Sequence, residues 1–191
     1  MCIVYLSPYF RLNKLKNNMK KLLLIAATFV SFTTFAQTTS SNEITKKNSW
    51  LKLGIDAGIP TGDMSNVSNF VLGGTIKGQF METKNWGIGL TTGYNHFFPK
   101  ANFSSIGTIP VGAFVRYYPM QTGFFAGLDL GYSFITNSSS NGGFYMKPQL
   151  GYHDYNWNIF GFYNIISISN NGVSGNVAHV GVGATYNLRF N

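Results

Sequence analysis

Charged residues are scarce in this sequence. Asp, Glu, Lys and Arg make up 10% of its 191 residues, whereas soluble proteins have about 25%. Cysteine is nearly absent, because Cys2 is the only one, so no intramolecular disulfide is available. The apolar run over residues 22–32 is interrupted by Thr28 and Ser31 and is shorter than the roughly 20 residues that a transmembrane helix needs. Charge is too sparse for a soluble surface, and this run cannot span a membrane.

The N-terminal segment has the pattern of a targeting sequence. Met19 is followed by two lysines, the short apolar run and small residues before Gln37, which predicts a secretory signal peptide over residues 19–36. Residues 1–18 are interpreted as a spurious upstream extension. Residues 37–49 are predicted to be a polar periplasmic tail, and residues 50–191 the folded domain. Five of the 14 basic residues and none of the six acidic ones precede residue 37, so the mature net charge is 9 − 6 = +3. No basic patch suggests a nucleic-acid partner.

Aromatic residues and glycine are abundant, and they occur in alternating patterns. The mature sequence contains no helical periodicity but eight segments in which apolar and polar or small residues alternate, as in strands with one apolar face. The last segment is the clearest. In the seventh, Phe160 and Phe162 share a face with Asn158 and Asn164, so its facing stays open. The predicted strands are residues 50–59, 70–80, 86–97, 108–118, 124–134, 144–153, 157–168 and 176–190.

The links between these segments alternate in length. Longer links rich in Ser, Asn and Gly follow the odd-numbered strands, and shorter ones follow the even-numbered strands. Outer-membrane barrels have this pattern, with tight periplasmic turns and longer external loops. The fold class predicted is all-β, an eight-stranded antiparallel up-and-down transmembrane β-barrel. A soluble barrel that buries its aromatic rings is the structural alternative.

The charged residues of the predicted strands all fall on one face. A Lys or Arg facing lipid at the membrane midplane costs about 2–4 kcal/mol, so this face is predicted to line the lumen. Trp50, Trp86, Trp157 and Phe190 are predicted to anchor the barrel at one membrane interface. Pro110 and Pro148 lie inside strands, where each should cause a bulge or a locally unpaired residue. The predicted lumen cluster is Lys52, Asp56, Lys77, Arg116, Asp129, Lys147, His179 and Arg189.

Several segments together resemble a known class of proteins. They are the leader, the stretch from Thr108 to Pro119, the stretch from Met146 to Tyr152, and the ending from Tyr186 to Phe190. They resemble the small outer-membrane β-barrels of the OmpA-like or OmpX-like eight-stranded class, often called the porin family. The resemblance implies an outer-membrane location in a Gram-negative bacterium. It also implies contact with outer-membrane lipid and recognition of the terminal strand by the barrel-insertion machinery, although Asn191 follows the terminal Phe190.

The sequence shows little sign of catalysis. His96, His153 and His179 are the only histidines, and no Ser-His-acid spacing or metal-ligand spacing is visible. We therefore predict no enzymatic activity, no catalytic residues, no metal and no cofactor. The leading hypothesis is a monomeric barrel with a side-chain-filled polar lumen and a structural or surface-interaction role. The alternatives are a narrow anion-preferring channel for small solutes and a lipid-modifying membrane enzyme. No motif in the loops identifies an external ligand.

Overall fold

The computed structural model describes residues 51–81, 85–137, 141–170 and 173–188. The predicted extension over residues 1–18, signal peptide over residues 19–36 and polar tail over residues 37–49 therefore lie outside the described residues. So do three of the predicted site residues, Trp50, Arg189 and Phe190. No helix in the described ranges has the length and apolar character needed to cross a membrane.

Eight antiparallel strands form a closed barrel in which each strand pairs with its neighbours in sequence and β1 pairs with β8. This confirms the predicted eight-stranded up-and-down fold. One short helix, α1, follows the first strand. The strands are β1 Leu51–Thr61, β2 Ser68–Met81, β3 Trp86–Pro99, β4 Ile106–Tyr117, β5 Gly123–Thr136, β6 Gly142–His153, β7 Trp157–Asn170 and β8 Val173–Leu188, and α1 is Met64–Val67.

Several strands extend further than their sequence pattern predicts. The end of the barrel that carries the links after the odd-numbered strands is called the loop end, and the opposite end the turn end. At the loop end β2 begins at Ser68 and β8 at Val173. Backbone pairing in a closed barrel depends on the neighbouring strand, so the hydrogen-bond ladder continues after the apolar alternation stops.

This extension corrects the prediction of alternating long and short links. The links after β1, β3 and β5 span six, six and five residues, but β7 and β8 are separated by only two. The links after β2, β4 and β6 span four, five and three residues. Residues that composition assigned to loops, such as Ser169 and Ser174, are paired strand residues.

The facing of β7 is decided by how the interior is filled. Phe160 and Phe162 are 3% and 4% exposed and point inward with Asn158 and Asn164. Each lies opposite a glycine of β8, since Phe160 pairs with Gly183 and Phe162 with Gly181. A Cβ atom added to Gly183 would lie 2.8 Å from the Phe160 ring. Glycine on β8 therefore makes room for the aromatic rings of β7.

Both strand prolines interrupt pairing on one side without a bulge. Pairing of β4 with β3 stops at Val111 and resumes at Thr108 in the same register, so that Ile109 and Pro110 are not paired with β3. Pro148 lies in a similar gap between β6 and β7. On the other side each proline is paired, with Ser133 and Leu128 respectively. Of the two predicted outcomes, the locally unpaired residue is observed, because proline lacks the N–H that the ladder requires.

Candidate functional site: the barrel interior

The charged side chains of the described strands all lie inside the barrel. Each has at most 8% of its surface exposed, because the alternation of the strands directs it away from the apolar outer face. Within the described strands the interior therefore carries four cations and two anions. These residues are Lys52, Asp56, Lys77, Arg116, Asp129 and Lys147. They are the described charged members of the predicted lumen cluster.

Two ion pairs connect distant strands across the lumen. The Lys147 ammonium on β6 donates to the Asp56 carboxylate on β1 over 2.8 Å, and the Lys77 ammonium on β2 contacts the Asp129 carboxylate on β5. Burial removes water from all four charged groups, so each charge is stabilised by its partner instead of by solvent. Breaking such a pair by removing one partner costs about 3–5 kcal/mol. The pairs connect opposite sides of the barrel and leave both carboxylates neutralised.

The other two cations bind neutral amides. Lys52 donates to Asn187 Oδ1 over 2.6 Å, and Arg116 donates to Gln149 Oε1 over 2.6 Å. The Arg116 guanidinium also lies within 5.6 Å of three Phe rings, those of residues 114, 125 and 160. Aromatic ring faces attract a desolvated cation. These rings therefore contribute to stabilising a charge that has no carboxylate of the described residues in direct contact.

An apolar layer closes the interior at the loop end. It consists of inward-facing residues from six strands together with Met64 of α1, whose side chain is 7% exposed. Val67 of the same helix packs against this layer. No part of the sequence pattern predicted α1, since the helix has only four residues. The strand members of the layer are Val71, Phe97, Ile135, Tyr145, Ile166 and Val177.

A second group of rings fills the turn-end half of the interior. Tyr118, Phe125, Phe160 and Phe162 form one buried cluster. The Tyr118 hydroxyl donates to Gln79 over 3.0 Å, and burial raises the pKa of this hydroxyl above its ordinary value of 10. It therefore remains protonated and able to donate. Alternation alone predicted no role for Phe125, Phe160 or Phe162, although Phe125 shares the inward parity of Asp129.

The histidines are separated in the structure. His179 is buried with its ring edge-on to Phe97 and Phe162, at centroid distances of 5.3 and 5.4 Å. His153 lies near the turn end, 4.6 Å from the Tyr118 ring. His96 is on the outside, where Nδ1 is 3.2 Å from the Tyr94 hydroxyl. Among the described residues no three His, Cys, Asp or Glu side chains come close enough to hold a metal ion.

The outer surface is apolar along the strands. Ile55, Leu90 and Leu150 point outward and are 73%, 68% and 71% exposed. A soluble protein rarely exposes a continuous apolar patch larger than a few hundred Å². Here, by contrast, the outward positions of all eight strands carry large apolar side chains. The exterior therefore matches hydrocarbon, whereas the interior holds the charge.

Aromatic pairs border this apolar band at both ends. At the turn end Trp86 packs on Tyr117 and Trp157 on Tyr186, with ring centroids 4.8 and 4.9 Å apart. These are the two predicted interface tryptophans within the described residues. A second set at the loop end, which the sequence reasoning did not identify, includes the Phe70–Phe98 stack at 4.2 Å and the Tyr132–Phe134 pair at 5.0 Å.

The separation of the two aromatic sets fits a membrane. Along β5, Phe124 at the turn end and Phe134 at the loop end are ten residues apart, which is about 33 Å of strand. A strand tilt of about 40° reduces this length to about 25 Å along the membrane normal, the height of the apolar band of transmembrane barrels. The closed sheet, the inverted polarity and the two aromatic girdles together define a small transmembrane β-barrel.

No known protein family matches the sequence. No curated protein matches it either. Solved structures of similar architecture include the following three. A protein from the de novo design of transmembrane β-barrels has a TM-score of 0.46 and 16% identity, covering 76% of this chain and 100% of that one. The outer membrane protein OprG from Pseudomonas aeruginosa has a TM-score of 0.45 and 13% identity, covering 78% and 99%. The N-terminal β-barrel domain of Pseudomonas aeruginosa OprF has a TM-score of 0.43 and 14% identity, covering 74% and 99%.

Proposed function

We propose that this chain is an integral protein of a Gram-negative outer membrane, and that its barrel has a non-enzymatic, structural or surface-interaction role. In this proposal residues 19–36 direct export, the barrel-insertion machinery places the barrel in the membrane, and the loop end faces outward. The monomeric barrel then contacts lipid over its whole apolar band. The observation that carries the proposal is the complete inward placement of the charged residues in the described strands.

The filled interior favours a structural role over transport. The apolar layer with Met64 lies at the loop end, the aromatic cluster with Tyr118 lies toward the turn end, and ion pairs occupy the space between them. Eight-stranded barrels leave a lumen just wide enough for side chains. A solute would have to displace buried groups that are paired with each other.

A narrow anion-preferring channel is the second candidate function. The observation that favours it is the excess of cations over anions among the described lumen residues. Lys52 and Arg116 are hydrogen-bonded to amides, and neither contacts a carboxylate within the part of the chain that the structure describes. A solvated passage lined by these two groups would select anions.

Membrane insertion is tested by fractionating cells that express the full chain. We expect the protein in the outer-membrane fraction, extraction only by detergent, and a gel mobility that changes on boiling. Recovery of folded protein in the aqueous fraction without detergent would contradict the proposal and support a soluble barrel.

Transport is tested separately, with purified protein in planar lipid bilayers. A filled lumen predicts no stable unitary currents. Stable anion-selective currents that disappear in Arg116→Gln would contradict the structural role and support the channel. The matched control is Gln121→Glu, which lowers the net charge by the same amount at an exposed position of the link between β4 and β5, outside the lumen.

A further inference from the structure

The segment that contains α1 has few hydrogen bonds to the rest of the barrel. It leaves β1 through Gly62, whose φ of +61° belongs to the left-handed region that favours glycine. Inside the segment, Ser65 N–H donates to the Gly62 carbonyl and Asn66 N–H to the Asp63 carbonyl, both over 3.1 Å. These bonds hold the helical turn together but do not attach it to other strands.

The far end of the segment continues directly into β2 at Ser68, and Lys100 of the link between β3 and β4 bonds to it there. The Lys100 N–H donates to the Val67 carbonyl over 2.9 Å, and the Lys100 ammonium donates to the Ser65 carbonyl over 2.7 Å. On the side facing the β7–β8 hairpin, a cleft of about 300 Å³ is lined by Asp63 together with Ser167, Ser174 and Asn176. Apart from the junctions of the segment with β1 and β2, its described hydrogen bonds to the rest of the barrel come from Lys100.

The underside of the segment is packed firmly. Met64 and Val67 lie on the apolar layer, in which Val71 and Ile166 have no exposed surface. Two apolar side chains thus close one end of the interior, while the upper side of α1 is exposed at Ser65 and Asn66. A short segment with a junction at each end and one fastening residue can act as a lid over the layer beneath it.

We propose that residues 62–67 form a lid that lifts about its junctions at Gly62 and Ser68, is fastened by Lys100, and opens to expose an apolar well at the loop end. The well is lined by the strand residues of the apolar layer, and Met64 is the side chain that fills its mouth. This inference goes beyond the proposed function, because it assigns a conformational device to a barrel whose deeper interior stays filled.

The experiment measures the accessibility of a thiol beneath the lid. Ile166→Cys places that thiol in the apolar layer, and Cys2→Ser in every version leaves it as the only one. The full chain is folded in detergent, and its labelling by a charged, water-soluble maleimide is followed over time. A buried thiol reacts only through local opening, so the labelling rate reports the population of the open state.

We expect slow labelling with the native lid and an increase of at least about tenfold with Met64→Ser or Lys100→Met, which corresponds to a loss of about 1.4 kcal/mol in lid closure. Lys100→Arg, which keeps a donor, should restore slow labelling. The matched control is Thr185→Cys, a buried position near the turn end, whose labelling should not respond to lid variants.

Equal labelling rates at position 166 with native and altered lids, whether fast or slow, would overturn the proposal. An equal increase at positions 166 and 185 would also overturn it, because it would indicate general loosening of the barrel. Boiling-dependent gel mobility identifies variants that fail to fold. If Met64→Ser fails to fold, the comparison of Lys100→Met with Lys100→Arg still tests the lid, because these two variants differ only in the side-chain hydrogen bond at Lys100. Because the test uses detergent, its failure leaves the proposed outer-membrane role unaffected.

Discussion

The Lys147 ammonium lies 2.8 Å from the Asp56 carboxylate, although the two residues are 91 positions apart in the sequence. Barrel closure brings β1 and β6 to facing sides of the same narrow lumen. The Lys147 ammonium also lies 3.9 Å from the centre of the Phe162 ring. This cation is therefore held by a carboxylate and an aromatic face together.

Removing one partner of this pair should destabilise the barrel strongly. Asp56→Asn leaves the buried Lys147 charge without its carboxylate, and we expect a loss of about 3–5 kcal/mol in the free energy of unfolding. Urea titration of protein in lipid vesicles, followed by boiling-sensitive gel mobility, measures this loss. The double variant Asp56→Asn with Lys147→Met should recover much of it, because neither charge remains buried alone. Additive losses in the double variant would show that the pair is not coupled.

An outward charge should be tolerated only outside the apolar band. Leu130 points outward in the middle of β5, so Leu130→Arg should cost about 2–4 kcal/mol in lipid. Ala101→Arg, at an exposed position of the link between β3 and β4, is the control and should change stability little. The same urea titration measures both. If Leu130→Arg leaves the free energy of unfolding unchanged, this face contacts water and not lipid.

A methyl group on the inner face of β8 should disturb the β7 rings. In Gly183→Ala the new Cβ would lie 2.8 Å from the Phe160 ring and 3.0 Å from Asp56 Cβ, and overpacking of this kind costs about 1–3 kcal/mol. Gly74→Ala is the matched control, because no neighbouring atom lies within 4 Å of its added Cβ. Combining Gly183→Ala with Phe160→Leu should reduce the cost. If both alanine variants behave alike, close packing between β7 and β8 does not limit stability.

The turn-end tryptophans should report a shallow depth in the bilayer. Trp86 and Trp157 are 47% and 46% exposed and each packs on a tyrosine, as expected at the membrane interface. In a Trp50→Phe background, lipids brominated near the headgroup should quench the remaining tryptophan fluorescence more than lipids brominated near the chain end. Stronger quenching by the deep bromines would place these rings in the hydrocarbon centre and contradict the girdle.

The sequence by itself determined the strand number, the antiparallel up-and-down order and the face of each charged residue in the described strands. The physical reason is that alternation has a period of two, so the position of Lys77 or Asp129 along a strand fixes its side of the sheet. The composition also determined which medium surrounds the barrel, since an apolar outer face with so little charge suits lipid better than water.

Tertiary structure alone decided which inward residues meet. Lys77 lies 52 positions from Asp129, and their contact follows from the stagger of β2 and β5 around the closed barrel, which no local pattern encodes. The facing of Phe160 depended on the glycines of β8, and the burial of Met64 depended on the apolar layer beneath α1. A four-residue helix and a two-residue link are too short for periodicity to reveal, so only the packing of the complete barrel could place them.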